Sequence, residues 1–262
     1  MNVLTEWLPI TGLCMMRPLG VFLLLPALTT ASLGGTLIRN SLILMIALPA
    51  VPAHLQHPAW LAAQGAGDYL WIMLGEIAIG TMIGFVAAIP FWAIDMAGFV
   101  IDTLRGSSMS SIFNPNLGEQ SSIFGLLFSH VLSTLFLVTG GFNRLIEAIY
   151  QSFVTFPPGA ELTLQATFLP FCTQIWQTLF ELCLHFSMPA IVAMILIDFA
   201  MGLINRSAKQ LNVFFLSMPI KCLLALLLLA ASLQFAFADY LSRITLFPEY
   251  VHDLLQTLHV QR

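Results

Sequence analysis

Few side chains in this sequence could do chemistry, and most of those that could lie in apolar surroundings. Only 8% of the residues are charged while 58% are hydrophobic. Asp198 falls inside one apolar run and Lys221 inside the next, with a short polar turn, Asn205 to Gln210, between them. If the two runs form a helical hairpin, their offset counted from Ala208 is roughly 5 Å at helical rise, within reach of a lysine side chain. An unpaired charge at membrane depth would cost on the order of 3 kcal/mol or more, so a partner is expected for each, on this chain or another. Asp198, Arg206, Lys221 and, further upstream, Asp102 are therefore read as buried structural polar residues rather than as an active site.

The second polar region runs from Asp95 to Ser122 and is rich in Gly, Ser, Asn and Pro, so it is not expected to span a membrane as a helix. Asp102 and Arg105 are three apart and can pair on one helix face, after which Gly106 offers a stop. The residues that follow, Ser107, Ser108, Met109, Ser110, Ser111, Ile112, Phe113, Asn114 and Pro115, form a small-residue stretch whose length between hydrophobic elements points to a functional loop.

Other ionisable groups carry weaker signals. Glu76 sits early in a long run, either snorkelling to an interface where a negative charge suits the helix dipole, or touching a partner helix; the first is expected. Arg17, beside Pro18, implies that the first run packs against protein. His130 reads as a packing residue. His54 and His57 lie between Pro52 and Pro58 with no third ligand nearby, so no metal is inferred. Cys14, Cys172, Cys183 and Cys222 occur singly in apolar runs, as buried thiols do, and suggest neither disulfide nor metal. Nucleotide-binding, zinc-protease and serine-hydrolase motifs are absent, so neither an enzyme nor a cofactor is expected. A net charge of −4 offers no basic field for nucleic acid.

Six apolar runs must position these groups, at about 7–29, 39–49, 69–94, 123–141, 175–205 and 211–240, indicating an all-α, multi-pass membrane protein. Glu6 is the only early charge, unlike the positive start of a cleavable leader, so the first run is expected to remain in the mature chain. Residues 142–174 read as short helices round a turn, and 241–262 as an amphipathic tail. Positive charges are nearly balanced between the two sets of loops, Arg39, Arg105, Arg206 and Lys209 against Arg144, Arg243 and Arg262. A polytopic protein usually shows a clearer bias, so much of the chain is expected to be buried in a complex.

Two stretches carry a specific pattern. One holds Asp198, Gly202, the QLNVF run from Gln210 to Phe214, Pro219 and Lys221. The other holds Gly98, Ile101, Asp102, Gly106, Asn114, Pro115 and Gly118, and Arg17, Pro26, Arg39 and the GEIAIG run belong with them. In these residues the chain resembles the FliR/SctT family of flagellar and type III secretion export-gate proteins. The form DTLRG at 102–106, together with Lys209, is more similar to the injectisome branch. The resemblance implies kinked helical hairpins arranged like a fusion of R-type and S-type subunits in a pseudo-helical ring. The R-type-like part would cover about 1–174, with a plug loop at about 105–122, and the S-type-like hairpin about 175–240.

It further implies a structural and gating subunit of an export channel for unfolded effector and needle proteins. The site would sit in the inner membrane, raised towards the periplasm, with R-type and S-type partners and the U-type and V-type export proteins alongside. Arg105 to Pro115 would help plug the channel. A flagellar export-gate subunit is the nearest alternative. A secondary transporter with an Asp198/Lys221 ion site is another, although the inverted repeat expected of one is not visible.

Overall fold

The computed structural model describes residues 3–30, 32–54, 66–106, 122–159, 162–207, 213–245 and 247–260. In chain order they form α1 (Val3–Leu24), α2 (Thr36–Ala47), α3 (Val51–His54), α4 (Ala66–Leu104), α5 (Ile123–Val138), α6 (Gly141–Thr155), β1 (Leu162–Leu164), α7 (Phe168–Ser207), α8 (Val213–Thr245), α9 (Phe247–Thr257) and β2 (Leu258–Val260). The fold is all-α apart from a small antiparallel ribbon that pairs Leu162 with Val260 and Leu164 with Leu258. That ribbon was not legible in advance, because strands of three residues carry no periodicity to read.

Helices dominate because a backbone in apolar surroundings must bond to itself. Prolines bend this rule without breaking it: Pro9 and Pro18 lie within α1, Pro90 within α4, Pro189 within α7 and Pro219 within α8. Each removes one backbone hydrogen bond, a loss that packing neighbours can offset.

Among the described residues three helices, α1, α4 and α7, are long and apolar enough to cross a membrane, and α5 with α6 makes a fourth if the pair is one broken span. Two expectations are corrected here. The second apolar run is the 12-residue α2, about 18 Å long and short of a hydrocarbon core of ~30 Å. The third run does not stop near Ile94 but continues as helix to Leu104, since no proline lies between 91 and 104 and the expected stop at Gly106 comes only after them. At 39 and 40 residues, α4 and α7 are each about 60 Å long, roughly twice a bilayer core.

The chain divides into two compact units, each assembled from separated stretches. The first comprises Met1–Ile89, Leu135–Trp176 and Arg243–Arg262, the second Pro90–Thr134 and Gln177–Ser242. This is a different division from the linear one read from the sequence. The core of the first unit joins Leu13, Val21 and Phe22 of α1 with Ile79 and Ile83 of α4, Leu145 and Ile149 of α6, and Val251 and Leu254 of α9. That of the second joins Phe91, Ile94 and Ile101 of α4 with Phe128 of α5, Phe186 of α7 and Tyr240 of α8. There the Phe128 ring stands edge-on to Phe186 at 5.0 Å, and Phe186 to Tyr240 at 6.1 Å.

Two glycine contacts set the helix spacing. A Cβ on Gly80 would overlap the Arg17 backbone, and one on Gly84 would come within 2.9 Å of Val21 Cα, so this small-residue pair of α4 seats α1 directly. In the second unit a Cβ on Gly98 would overlap Gly125, bringing α4 and α5 into the same kind of contact. Gly80→Ala should therefore lower the thermal midpoint of the purified protein, at a cost of about 1–3 kcal/mol. Gly67→Ala, inside the same helix but in open space, should not lower the midpoint.

Candidate functional site

Two polar clusters stand out, one in each unit. In the first unit the Arg17 guanidinium is wholly buried and Glu76 is 2% exposed. Arg17 Nε donates to Glu76 Oε2 at 2.5 Å and Nη2 to Oε1 at 3.0 Å, a two-pronged pair between α1 and α4. Arg17 Nη1 donates to Ser152 Oγ at 3.3 Å, and Nη2 also donates to the Phe156 carbonyl. The guanidinium lies 4.3 Å from the centre of the Phe153 ring. One arginine thus ties α1 and α4 to the end of α6.

Glu76 accordingly does not snorkel. Its helix position places it against Arg17, where a matched charge offsets burial better than solvent could reach it. The available signal was the presence of single opposite charges in two long apolar runs, but their separation of 59 positions gave no local spacing to read.

The second cluster gathers most of the residues singled out from sequence. Asp102, 3% exposed, forms an ion pair through Oδ1 with Arg105 Nε at 2.7 Å. Its other oxygen accepts from Ser122 Oγ at 2.7 Å and from the Phe124 backbone N–H at 3.1 Å. Ser122 in turn accepts from the Gly125 N–H at 2.8 Å, the usual arrangement of a helix N-cap. Asp102 on α4 therefore holds the start of α5, and with it the two ends of the segment that joins them. Gly106, at φ +91°, closes α4 in the left-handed conformation that favours glycine.

Opposite this junction stands the helical hairpin. Lys221 Nζ of α8 lies 2.5 Å from Asp198 Oδ1 of α7 and donates to the Leu104 carbonyl at 3.3 Å. Arg105 Nη1 reaches Cys222 Sγ at 3.6 Å, while the guanidinium lies 4.5 Å from the centre of the Phe124 ring. Successive residues 104 and 105 are thus clasped to successive residues 221 and 222.

Within this chain Asp102 is buried, whereas Asp198 and Arg206, also expected to be buried, are exposed. The Asp198 side chain is 54% exposed, against 12% for Lys221, and Arg206 is exposed in the last turn of α7. Asp198 lies on the side of α7 that this chain leaves uncovered, with Ile195, Leu196 and Phe199 also exposed. Arg206 has passed beyond the packed part of the helix, where a positive charge suits the dipole. Of the loop residues, Arg105 and Gly106 belong to the junction; Ser107, Ser108, Met109, Ser110, Ser111, Ile112, Phe113, Asn114 and Pro115 lie outside the described residues. Within those described, no group of His, Cys, Asp and Glu is arranged to hold a metal ion.

Residues 8–246 match the family of bacterial export proteins, family 1. The chain is 44% identical over 250 residues to the secretion system apparatus protein SsaT of Salmonella typhimurium, covering 95% of this chain and 96% of that one. It is 38% identical over 222 residues to the Yop proteins translocation protein T of Yersinia pestis, covering 81% of each. With the flagellar biosynthetic protein FliR of Bacillus subtilis the identity is 26% over 199 residues, 73% of this chain and 75% of the other.

The buried arginine should prove sensitive to loss of its partner. Glu76→Leu should destabilise the protein by about 3–5 kcal/mol because it strands a buried cation, whereas the double replacement Arg17→Met with Glu76→Leu should recover much of that loss. Thermal unfolding of the purified variants reads both, and additive effects would show that the two side chains act independently.

Proposed function

Because the chain belongs to the bacterial export protein family 1, we propose that it is a structural and gating subunit of a type III protein export channel in the bacterial inner membrane. The observation that carries this reading is the match along nearly the whole chain to a secretion system apparatus protein. Higher identity to the two secretion relatives than to the flagellar one favours the injectisome branch.

The fold supports a life within an assembly. α7 leaves Phe180, Leu184, Met188, Val192, Ile195, Phe199 and Leu203 exposed along its length. A face of this kind needs lipid or a partner, and the half-exposed Asp198 carboxylate beside it makes pure lipid a poor neighbour. R-type and S-type export-gate subunits are the proposed neighbours, with the U-type and V-type proteins nearby and unfolded effector and needle proteins as transient passengers. The R-type-like part at 1–174 and the S-type-like hairpin at 175–240 would each extend a ring of such subunits.

The segment from Arg105 to Pro115 is proposed to occlude the resting channel. Its support is the junction that pins both ends of the connection, through Asp102, to one place. Small hydroxyl side chains there would let an extended polypeptide pass without strong binding.

Two measurements test the proposal. The chain should co-purify from detergent with R-type and S-type subunits, and isolation as a monodisperse monomer from cells expressing all three would overturn the assembly reading. Shortening Ser107–Ile112 should leave that assembly intact while making the resting channel leak small ions in a membrane-conductance assay; an unchanged leak would overturn the plug.

A further inference from the structure

The polar groups of the second unit alternate in an unusual order. Two cations meet across the clasp of residues 104–105 with 221–222, each contacting the chain neighbour of the other, Arg105 at Cys222 and Lys221 at the Leu104 carbonyl, and each pairs with one anion, Arg105 with Asp102 and Lys221 with Asp198. The outer anions differ in their surroundings. Asp102 is buried and fully engaged, accepting from Ser122 and from the Phe124 N–H in addition to pairing with Arg105. Asp198 is half exposed and keeps one side of its carboxylate open.

We propose that these four residues form a charge relay in which Asp198 sets how firmly Asp102 caps α5. With Asp198 in place, Lys221 is neutralised from the hairpin side and needs nothing from Asp102. If Asp198 is removed, or is drawn away by a cation arriving at its open side, two adjacent cations share one anion. Lys221 then competes for Asp102, whose second oxygen is the one holding Ser122 and the Phe124 N–H. The start of α5 loosens although nothing in α5 has been touched. The relay is built wholly from described residues and does not depend on what the segment 107–121 does, so it can fail while the plug survives, and the reverse.

A simple ion pair and the relay differ in their response to exchange. A simple pair is symmetric, so reversing it to Asp198→Lys with Lys221→Asp would restore the original state. In the relay, Lys221 also donates to the Leu104 carbonyl, while Arg105 reaches the adjoining Cys222. A carboxylate at 221 cannot donate to that carbonyl and would pull Arg105 away from Asp102, so reversal should not restore the cap.

Amide hydrogen exchange of the assembled complex reads the cap directly, through the peptide covering residues 122–128. Asp198→Asn should speed exchange at its first amides about tenfold, as Ser122→Ala does by removing the cap itself, whereas Lys221→Gln, alone or combined with Asp198→Asn, removes the competing cation and should stay within about twofold of the original chain. The reversed pair should be as fast as Asp198→Asn. The peptide covering 182–187, around the packed Phe186, should remain within about twofold of the original chain. Original protection at 122–128 in Asp198→Asn, in Ser122→Ala or in the reversed pair would overturn the relay. So would equal loss of protection in both peptides, which would mean that the hairpin charges merely hold the unit together.

Discussion

A charge carried into an apolar helical body has to meet its opposite, because neither lipid nor packed hydrocarbon can solvate it. Arg17 meets this requirement in the first unit, where a single guanidinium satisfies Glu76, Ser152 and the Phe156 carbonyl and lies over the Phe153 ring. Because no part of Arg17 reaches solvent, α1, α4 and α6 must hold their mutual positions for the charge to be tolerated at all. Close seating of α1 on Gly80 and Gly84 brings the two charged side chains to the same level. Packing and electrostatics there act as one restraint.

The second unit meets the same requirement differently. Its charges gather at helix ends, where unsatisfied backbone groups are available as further partners. Asp102 receives an N–H from the start of α5, and Lys221 donates to a carbonyl at the end of α4. A node of this kind is easier to rearrange than the Arg17 cluster, since Asp102, Arg105 and Lys221 each have a second partner and Asp198 is half exposed. The first cluster holds its helices through one enclosed cation, whereas the second leaves one of its anions at the surface.

Exposure is also divided unevenly among the long helices. α4 is mostly covered by the chain itself, whereas α7 presents an apolar face along much of its length. That uncovered face accompanies membership of a family whose relatives include a secretion system apparatus protein and a flagellar biosynthetic protein.

Composition and run length alone determined that the chain is helical and membrane-embedded, because the need for internal backbone bonding leaves an apolar chain of this kind little else. Local spacing was equally legible: Asp102 with Arg105, the stop at Gly106, and the Gly80 and Gly84 contact all follow from a 3.6-residue repeat. The hairpin charges were readable for the same reason, since a short turn fixes the depth of both arms. What lay beyond reach was every relation between distant segments. Glu76 and Arg17 share no spacing, Ser122 gives no sign that a carboxylate on α4 will cap it, and β1 finds β2 almost a hundred positions later. Only the tertiary structure decided these, and it also decided that Asp198 and Arg206 face outward, because burial is a property of what packs against a helix and not of the helix itself.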